Sequence, residues 1–425
     1  MNNAKLDIAK YQQRSRQINA IAAVSVTNAI EWFEIVIFGY FAGIISRLFF
    51  PSEDPLTSLL LAFATFGVTF VMRPVGAVIL GIYGDRRGRK AALQLSIVLM
   101  MAGSAAIAFA PDYRSVGYLA PAILLVGRLI QGFAVGGEFG SATAFLAEQD
   151  PARRGFYASW QFASQGLTAV LATASGAIVT ALLAPDIVDN WGWRIPFAFG
   201  LIIGPIGYFI RRNLEESPEF IVDSPPSAPL RSLIQQDAGR LLVAIGLIVL
   251  GTVAIYTIVF MPTFATRQLG LSVPKSFIAG SLTGALQLIL VPIFGALSDR
   301  IGRLPFPIGS AAVMLCAVYP AFYWLANDPT IEKLLAIQIA LGILTACYMG
   351  SIPALMSELF PATRRTTGLS ISYALAVAIF GGFAPFIHSW LIEVTGTKIA
   401  PSYYVIFAAS VSLISLCMVP RVQRR

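Results

Sequence analysis

Apolar stretches of about 20 residues recur along the whole 425-residue sequence, and they limit what the chain can fold into. An α-helix of about 20 residues crosses the ~30 Å hydrocarbon core of a bilayer. Only 12% of the residues are charged, about half the fraction usual in soluble domains. The stretches are continuous and do not alternate as the strands of a transmembrane β-barrel do. The sequence therefore predicts an all-α membrane protein.

Twelve apolar spans can be counted, and we number them in chain order. Spans 1 to 6 lie at 18–47, 57–84, 91–110, 119–149, 156–184 and 194–211. Spans 7 to 12 lie at 241–266, 275–297, 304–326, 332–359, 367–393 and 401–420. The polar, Pro/Ser-rich segment 212–240 is expected to link an N-terminal six-helix half, residues 1–211, to a C-terminal half, residues 241–425.

The two halves carry matching motifs. GDRRGRK follows span 2 and SDRIGR follows span 8, with Asp85 and Asp299 214 residues apart. AEQDPARRG follows span 4 and SELFPATRRTTG follows span 10, with Glu148 and Glu358 210 residues apart. Two pairs at nearly the same offset indicate internal duplication. Duplicated halves around a midplane site are an architecture of secondary transporters.

The distribution of positive charge predicts the orientation. Loops on the side of the N-terminus hold 21 of the 30 lysines and arginines, and the opposite loops and span edges hold 7. The positive-inside rule then puts both termini in the cytoplasm. Because the net charge of +8 is spread over short loops, no nucleic-acid partner is expected.

The sequence offers no pattern for catalysis, a metal or a cofactor. GGEFG and GIYGDRRG lack the spacing and the strand context of a phosphate-binding loop. The cysteines, Cys316, Cys347 and Cys417, lie in apolar runs without metal-like or redox-like spacing. We therefore expect neither an enzyme nor an ATP-driven pump.

Two acids lie inside span 1, in the stretch NAIEWFEIVIF. Glu31 and Glu34 are three residues apart and share one helix face, above Asn28. A charge at bilayer depth costs at least about 2.5 kcal/mol, so both are expected to face water or a partner. Adjacent anions in a dry site repel, so at least one is expected to hold a proton near neutral pH. The pair suits proton coupling; the alternative is a structural pair held by Arg73 or Arg128.

Further polar residues in the spans are candidates for substrate contact. Arg73 and Arg128 cannot lose their protons and need an acid or an anionic substrate. Glu138 lies ten residues after Arg128, too far to pair with it along one helix. Asn28 in span 1 is a further candidate for substrate contact. The others are Gln161 and Gln165 in span 5, with interhelical hydrogen bonding as the alternative, and Tyr256, Gln287, Tyr348 and Tyr373 in the second half. His388, the one histidine, is a weaker candidate for a proton relay.

Several motifs resemble a known family. GDRRGRK and GRLIQGFAVGGE resemble the loop 2–3 and span 4 motifs of the major facilitator superfamily. EWFEIVIFGYFA, FATFGVTFVMRPVGAVILG, WGWRIPFAFG and LEESPEF resemble its metabolite:proton symporter branch, and RRGFYASWQFASQ resembles bacterial citrate and related organic-acid carriers. The resemblance covers essentially the whole chain. The branch commonly has Asp where this sequence has Glu34.

The resemblance implies a function and a set of gating residues. It implies a monomeric carrier in the bacterial inner membrane, with Arg128 in the motif linked to proton coupling. It also implies a cytoplasmic latch that holds the halves together in the outward-open state. The latch residues would be Asp85, Arg89, Glu148, Arg154, Asp299, Arg303, Glu358 and Arg364, and the alternative for them is simple topogenic charge.

The sequence thus predicts a secondary-active symporter for protons and a small organic anion, a di- or tricarboxylate such as citrate. Alternatives are a carrier of 2-oxoglutarate, of shikimate or an aromatic acid, or of a betaine-like solute. Sodium coupling, with oxygen ligands from Glu31, Glu34 and Asn28, is another. A transport-inactive membrane sensor is the alternative of a different class.

Overall fold

The computed structural model describes residues 2–87, 89–136, 138–201 and 235–423. Those residues are helices and short connections with no strand, which confirms the all-α prediction. Within them, nine helices are long and apolar enough to cross a membrane, or ten if a bent pair in span 1 is one crossing. The apolar part of the span 3 helix is shorter, Gln94–Ala108, and span 6 is described only as far as residue 201.

The helices of the first half follow the predicted spans. Their bounds are Asn2–Tyr40 and Ala42–Phe49 in span 1, Pro55–Val71 and Arg73–Arg87 in span 2, Arg89–Ala108 in span 3, Leu119–Ala134 and Glu138–Glu148 in span 4, and Arg154–Leu182 in span 5. Span 2 begins where Asp54 caps the amides of Leu56 and Thr57, at 3.1 and 2.9 Å, with Pro55 in the first turn. Hydrogen bonds from Thr57 and Leu56 hold the pKa of Asp54 below its ordinary value.

The second half has the same arrangement. Its helices are Ala238–Arg267, Val273–Ile301, Pro305–Asn327, Ile331–Met349 and Ile352–Leu359, Arg365–Ala376 and Ala384–Thr395, and Pro401–Gln423. Span 10 is made of two of them, broken at Gly350 and Ser351, as span 4 is broken after Ala134. The second helices of these spans begin at Glu138 and Ile352, at the 214-residue offset of the repeated motifs. The break therefore belongs to the duplication.

Spans 1, 2 and 11 also have irregular backbone. Span 1 bends by 62° between its two helices, and span 2 is interrupted at Met72, immediately before Arg73 and Pro74. Span 11 contains a turn of π-helix at Val377–Gly381. Irregular backbone at membrane depth is tolerated where it is buried in protein or lines a cavity, so these breaks are candidate positions for a polar site.

Glycines set the closest helix contacts. A side chain at Gly76, Gly132 or Gly136 would overlap the backbone of the facing span, because spans 2 and 4 cross there. Spans 5 and 8, one from each half, cross at two pairs: Gly155 with Gly295, and Gly166 with Gly284. Such crossings are typical of small-residue packing between membrane helices. The outer surface, in contrast, exposes large apolar side chains such as Phe109, Leu182 and Leu242, as expected for a face against lipid.

Candidate functional site

Glu34 lies at the end of a chain of hydrogen bonds through three spans. Its Oε2 accepts from the Ser104 hydroxyl of span 3, and Ser104 Oγ accepts from Gln131 Nε2 of span 4 at 2.9 Å. Gln131 Oε1 in turn accepts from Arg128 Nη1 at 2.8 Å. Every donor in this relay points towards the carboxyl group. Among the described residues no lysine or arginine lies within ion-pairing distance of Glu34, so the guanidinium acts on it through Gln131 and Ser104.

Both acids of span 1 border one small cavity. Its volume is about 30 Å³, and it is lined by Glu31, Glu34, Thr27, Ile30, Ile97, Met100, Met101 and Gly200. About 10–15 Å³ is enough for one water molecule, so the cavity can hydrate a carboxyl group. The Glu34 side chain also lies against Gly200, where a methyl group would overlap Oε1. The predicted shared face of Glu31 and Glu34 therefore looks towards spans 3 and 6.

Arg73 and Arg128 are buried in the middle of the protein. Arg73 is 3% and Arg128 0% exposed. The Arg73 guanidinium stacks on Trp32 and Phe70, with 4.4 and 4.9 Å from Cζ to the ring centroids. Arg128 lies 4.6 Å from the ring of Phe38 and 5.2 Å from that of Phe66. Aromatic faces orient both cations without neutralising them.

The arginines retain unused donors. Nε and Nη2 of both Arg73 and Arg128 have no hydrogen-bond partner in the described part of the chain. The same holds for Gln165 Nε2, Trp160 Nε1 and the Tyr256 hydroxyl. Buried donors are satisfied in most proteins, and leaving one unpaired costs about 1–3 kcal/mol, or more on a charged group. This surplus of donors over acceptors is suited to an anion.

Two tyrosines of the C-terminal half join this group. Tyr256 of span 7 packs edge-on against Phe70, with 5.2 Å between ring centroids. Tyr373 of span 11 lies beside Gln165 and Arg73. The π-helical turn of span 11 ends at Gly381, where a side chain would overlap Thr252 of span 7. The site is therefore assembled from both halves, as a rocking mechanism requires.

Asn28 and Gln161 are hydrogen-bonded to each other. Asn28 Nδ2 donates to the Gln161 carbonyl at 3.1 Å and to Ser164 Oγ at 2.6 Å, and Gln161 Nε2 donates to Asn28 Oδ1 at 3.2 Å. These bonds join span 1 to span 5. Of the two predicted glutamines, Gln165 is the one with a donor left for a substrate.

The other candidates occupy separate places. The Tyr348 hydroxyl donates to the Leu247 carbonyl at 2.7 Å, inside the C-terminal half. Glu138 lies half-buried in the first turn of its helix, directly after the break in span 4. His388 is fully buried, with Nε2 at 2.8 Å from Thr257 Oγ1 and its ring against Phe260.

The latch prediction has its clearest counterpart at Asp299. Its Oδ1 and Oδ2 accept from the amides of Gly155 and Phe156, at 2.7 and 3.0 Å. These amides open the helix of span 5, so a carboxylate of one half caps a helix of the other. Arg303 Nη1 binds the same carboxylate at 2.6 Å.

Two more links cross between the halves at this end. Glu358 Oε1 lies 3.1 Å from Arg303 Nε and 3.8 Å from Arg154 Nη1. Glu148 pairs at 2.8 Å with Arg365. Arg364 instead contacts Asp237 and Gln236 at the end of the linker, at 3.1 and 2.5 Å. The side chains of Asp85 and Arg89 lie outside the described residues.

The opposite end of the molecule is open between the halves. A cavity of about 310 Å³ lies there, bordered by spans 1 and 5 of one half and spans 7 and 8 of the other. Tyr40 and Phe277 lie at its wall, with 6.4 Å between their ring centroids. We call this cavity the vestibule. The structure is closed at the latch end and open at the vestibule end.

Sequence reasoning missed Ser104, Gln131, Gly200 and Arg365. Gln131 could have been found from the sequence, because it lies one helical turn after Arg128 and shares its helix face. Ser104 and Gly200 could not have been found in this way, since small residues are frequent in every span. Arg365 is adjacent to the predicted Arg364, and only helix orientation distinguishes the two.

Comparison with known families matches both halves of the chain. Residues 20–227 match the family described as Sugar (and other) transporter. Residues 243–425 match the Major Facilitator Superfamily.

Curated relatives extend over nearly the whole chain. A citrate-proton symporter of Klebsiella pneumoniae is 38% identical over 95% of this chain and 92% of its own length. A citrate-proton symporter of Salmonella typhi is 37% identical over 95% and 94%. A proline/betaine transporter of Escherichia coli K12 is 32% identical over 93% and 82%.

Solved structures share the fold. A proton:xylose symporter bound to 6-bromo-6-deoxy-D-glucose superposes with a TM-score of 0.76 over 96% of both chains, at 17% sequence identity. A second D-xylose-proton symporter structure gives 0.73 over 95% of this chain and 97% of its own, at 19% identity.

Proposed function

This chain belongs to the major facilitator superfamily and its metabolite:proton symporter branch, and from that premise we propose that it imports a small organic anion, a di- or tricarboxylate such as citrate, together with protons. The relatives named above include citrate-proton symporters, and the fold is that of an alternating-access transporter. The site residues, the orientation and the substrate below are parts of this proposal.

The observation that carries the choice of an anion is the group of unpartnered donors around Arg73 and Arg128. A carboxylate accepts bidentate hydrogen bonds from a guanidinium. Two guanidinium groups and the donors of Gln165 and Tyr256 can therefore hold a molecule with several carboxylates. The substrate would then accept hydrogen bonds from buried donors at the centre of the membrane, which are costly to leave unpaired.

Proton coupling follows from the relay between Arg128 and Glu34. With the site empty, the positive charge of Arg128 stabilises the Glu34 carboxylate through Gln131 and Ser104. An anion bound at Nε and Nη2 of Arg128 offsets that charge and so favours the protonated form of Glu34. By linkage, protonation of Glu34 strengthens anion binding by the same factor. Glu31, across the small cavity, would exchange the proton with Glu34.

Transport follows when the closed latch end opens and the open vestibule end closes. The latch of Asp299, Arg303, Glu358 and Arg154 holds one end shut while the vestibule is open. Breaking the latch while the vestibule closes would turn the central site to the other side. We propose that the latch end and both termini lie in the cytoplasm, at a bacterial inner membrane, because that end carries the excess of lysines and arginines. We propose a monomer as the working unit.

The substrate is tested by a competition panel in proteoliposomes. Purified protein should accumulate labelled citrate under an inward proton gradient without sodium. Unlabelled tricarboxylates and dicarboxylates should compete more strongly than monocarboxylates, because they can bind both guanidinium groups. Equal or stronger competition by glycine betaine or shikimate would reject the di- or tricarboxylate.

A second candidate substrate is a zwitterion such as a betaine. Trp32, Phe70 and Tyr256 form an aromatic wall beside Arg73, and aromatic faces attract quaternary ammonium groups. The similarity to proline/betaine transporters is in keeping with this alternative. The Arg73 guanidinium already stacks on the two aromatic faces nearest to it, those of Trp32 and Phe70. These faces are therefore taken by a cation of the protein itself, which favours an anionic substrate. Glycine betaine uptake that citrate fails to inhibit would support the zwitterion instead.

A further inference from the structure

The vestibule contains charged groups that the central mechanism does not use. Arg47 of span 1 and Arg267 of span 7 both line it, and Asp189, in the connection after span 5, is the acid among its lining residues. Two arginines and one aspartate leave a net charge of +1 on the wall. A volume of about 310 Å³ is within the range of small-molecule sites.

The two arginines face each other from different halves of the protein. Arg47 Nη1 donates to the Gly43 carbonyl at 3.0 Å and Nη2 to Asp189 at 2.6 Å. Arg267 Nη2 donates to the same carbonyl at 2.6 Å and to Ser46 Oγ at 3.2 Å. Both guanidinium groups thus converge on Gly43, just after the bend of span 1. Their partners are mostly neutral oxygens, so they keep much of their attraction for an anion.

Tyr40 supplies an independent observation. Its side chain lines the vestibule, is only 3% exposed, and its hydroxyl has no hydrogen-bond partner in the described part of the chain. A buried hydroxyl without a partner is costly. An acceptor atom of a ligand in the vestibule would satisfy it.

We propose that the vestibule is a second anion-binding site, which captures a di- or tricarboxylate before it passes Tyr40 and Phe277 to the central arginines. The inference rests on the proposed function, since it assigns the same substrate class to a separate place. The rings of Tyr40 and Phe41 pack on Phe277 at 6.4 and 5.7 Å between centroids, and in this proposal they form the boundary between the vestibule and the centre. Capture in the vestibule therefore does not require the central site to be open.

Cysteine protection tests this site directly. A cysteine replaces Thr180, which lines the vestibule and is partly exposed, in a protein whose Cys316, Cys347 and Cys417 are serine. The rate of its modification by a thiol reagent is measured against citrate concentration. The measurement is repeated with Arg73→Gln, which weakens the central site. We expect citrate to protect the cysteine in both backgrounds.

Substitutions in the vestibule should remove that protection. Arg267→Gln and Arg47→Gln should each raise the half-protecting citrate concentration by about tenfold or more, the effect of losing one charge-assisted hydrogen bond. Tyr40→Phe removes only the hydroxyl and should raise the half-protecting citrate concentration several-fold. This variant keeps the test decisive if an arginine variant fails to fold. Arg114→Gln, an exposed arginine that does not line the vestibule, is the matched control and should change nothing.

Each alternative result has one meaning. Protection that disappears with Arg73→Gln alone, or that survives all three vestibule substitutions, overturns the second site. Absence of protection in a protein that still accumulates citrate under a proton gradient also overturns it and leaves the proposed function standing. Absence of both protection and accumulation overturns the proposed function, and the vestibule proposal with it.

Discussion

Glu34 and Arg128 are joined by neutral side chains and not by a salt bridge. A direct ion pair would hold the carboxylate charged and would make its protonation expensive. With Ser104 and Gln131 between them, two nitrogens of the guanidinium have no partner in the described part of the chain, and the proposed mechanism assigns them to the substrate. In the proposed mechanism, this arrangement lets two buried ionisable groups serve one coupling event.

Arg73→Gln should weaken substrate binding without affecting coupling. The variant loses the charge and the bidentate geometry of a guanidinium, worth about 1.5–3 kcal/mol for a bond to a charged group, or roughly 10- to 100-fold in affinity. Initial rates of citrate uptake in proteoliposomes would give the change in KM. Arg87→Gln, an exposed arginine at the end of span 2, is the control. An unchanged KM in Arg73→Gln would exclude this residue from the site.

Gly200→Ala should impair proton coupling, and it should do so by displacing Glu34 without changing any other proposed site residue. The added methyl group would overlap Oε1 of Glu34 and displace the carboxyl group from Ser104. We expect acid-driven citrate accumulation to fall at least tenfold, while exchange of citrate for citrate persists. Gly309→Ala in span 9 is the matched control, because an added Cβ meets nothing within 4 Å there. Full accumulation by Gly200→Ala would mean that the position of Glu34 is not critical.

The breaks and crossings of the helices explain why the centre can change shape. Spans 4 and 10 break at equivalent positions of the repeat, and span 11 carries its π-helical turn against span 7. Spans 5 and 8 meet backbone to backbone at their glycines, so these crossings can act as pivots. Motion of one half against the other can therefore occur by rocking about these crossings.

Gly295→Val should favour the state that is open at the latch end. The new side chain would lie 2.6 Å from the Gly155 carbonyl of span 5, a contact that only separation of the spans relieves. Ala158, which is fully buried against Ala147 and Ala354 at this end, is the reporter when replaced by cysteine in the cysteine-free protein. Its modification should be several-fold faster in Gly295→Val than in the control Gly309→Val. An equal rate would show that this crossing does not close the latch end.

The sequence predicted the helices better than it predicted the contacts between them. Run length and hydropathy were enough for the spans, because the bilayer sets their length. The buried acids and arginines could be recognised as candidate site residues, because a charge at membrane depth is costly unless it faces water or a partner. Ser104, Gly200 and the choice of Arg365 over Arg364 depend on how each helix is rotated against its neighbours. For the same reason, Asn28 and Gln161, predicted as substrate ligands, turned out to bind each other.

The latch and the vestibule lie at opposite ends of one interface between the halves. Their opposite states, one closed and one open, define an outward-facing arrangement if the latch end is cytoplasmic. The latch relies on Asp299 more than on the exposed Glu148–Arg365 pair, since exposed ion pairs contribute only about 0–1 kcal/mol. Asp299 is nearly buried and binds two amides and an arginine.

Asp299→Asn should therefore release the latch. The amide side chain cannot accept from both the span 5 amides and Arg303, so the state closed at this end loses stability. We expect several-fold faster modification of the cysteine at position 158 and slower net uptake of citrate. Asp328→Asn, an exposed acid paired with Lys333, should leave both rates unchanged. Wild-type rates in Asp299→Asn would argue that these residues serve only topology.

The dependence of transport on protonation of Glu34 is tested by citrate accumulation in sodium-free proteoliposomes under an imposed inward proton gradient. Wild-type protein and the control Glu53→Gln, an exposed acid before span 2, should concentrate citrate above its external level. Glu34→Gln should bring citrate only to equilibrium while still exchanging internal for external citrate. Accumulation of citrate above equilibrium by Glu34→Gln, driven by the proton gradient alone, would contradict the coupling mechanism proposed for this protein.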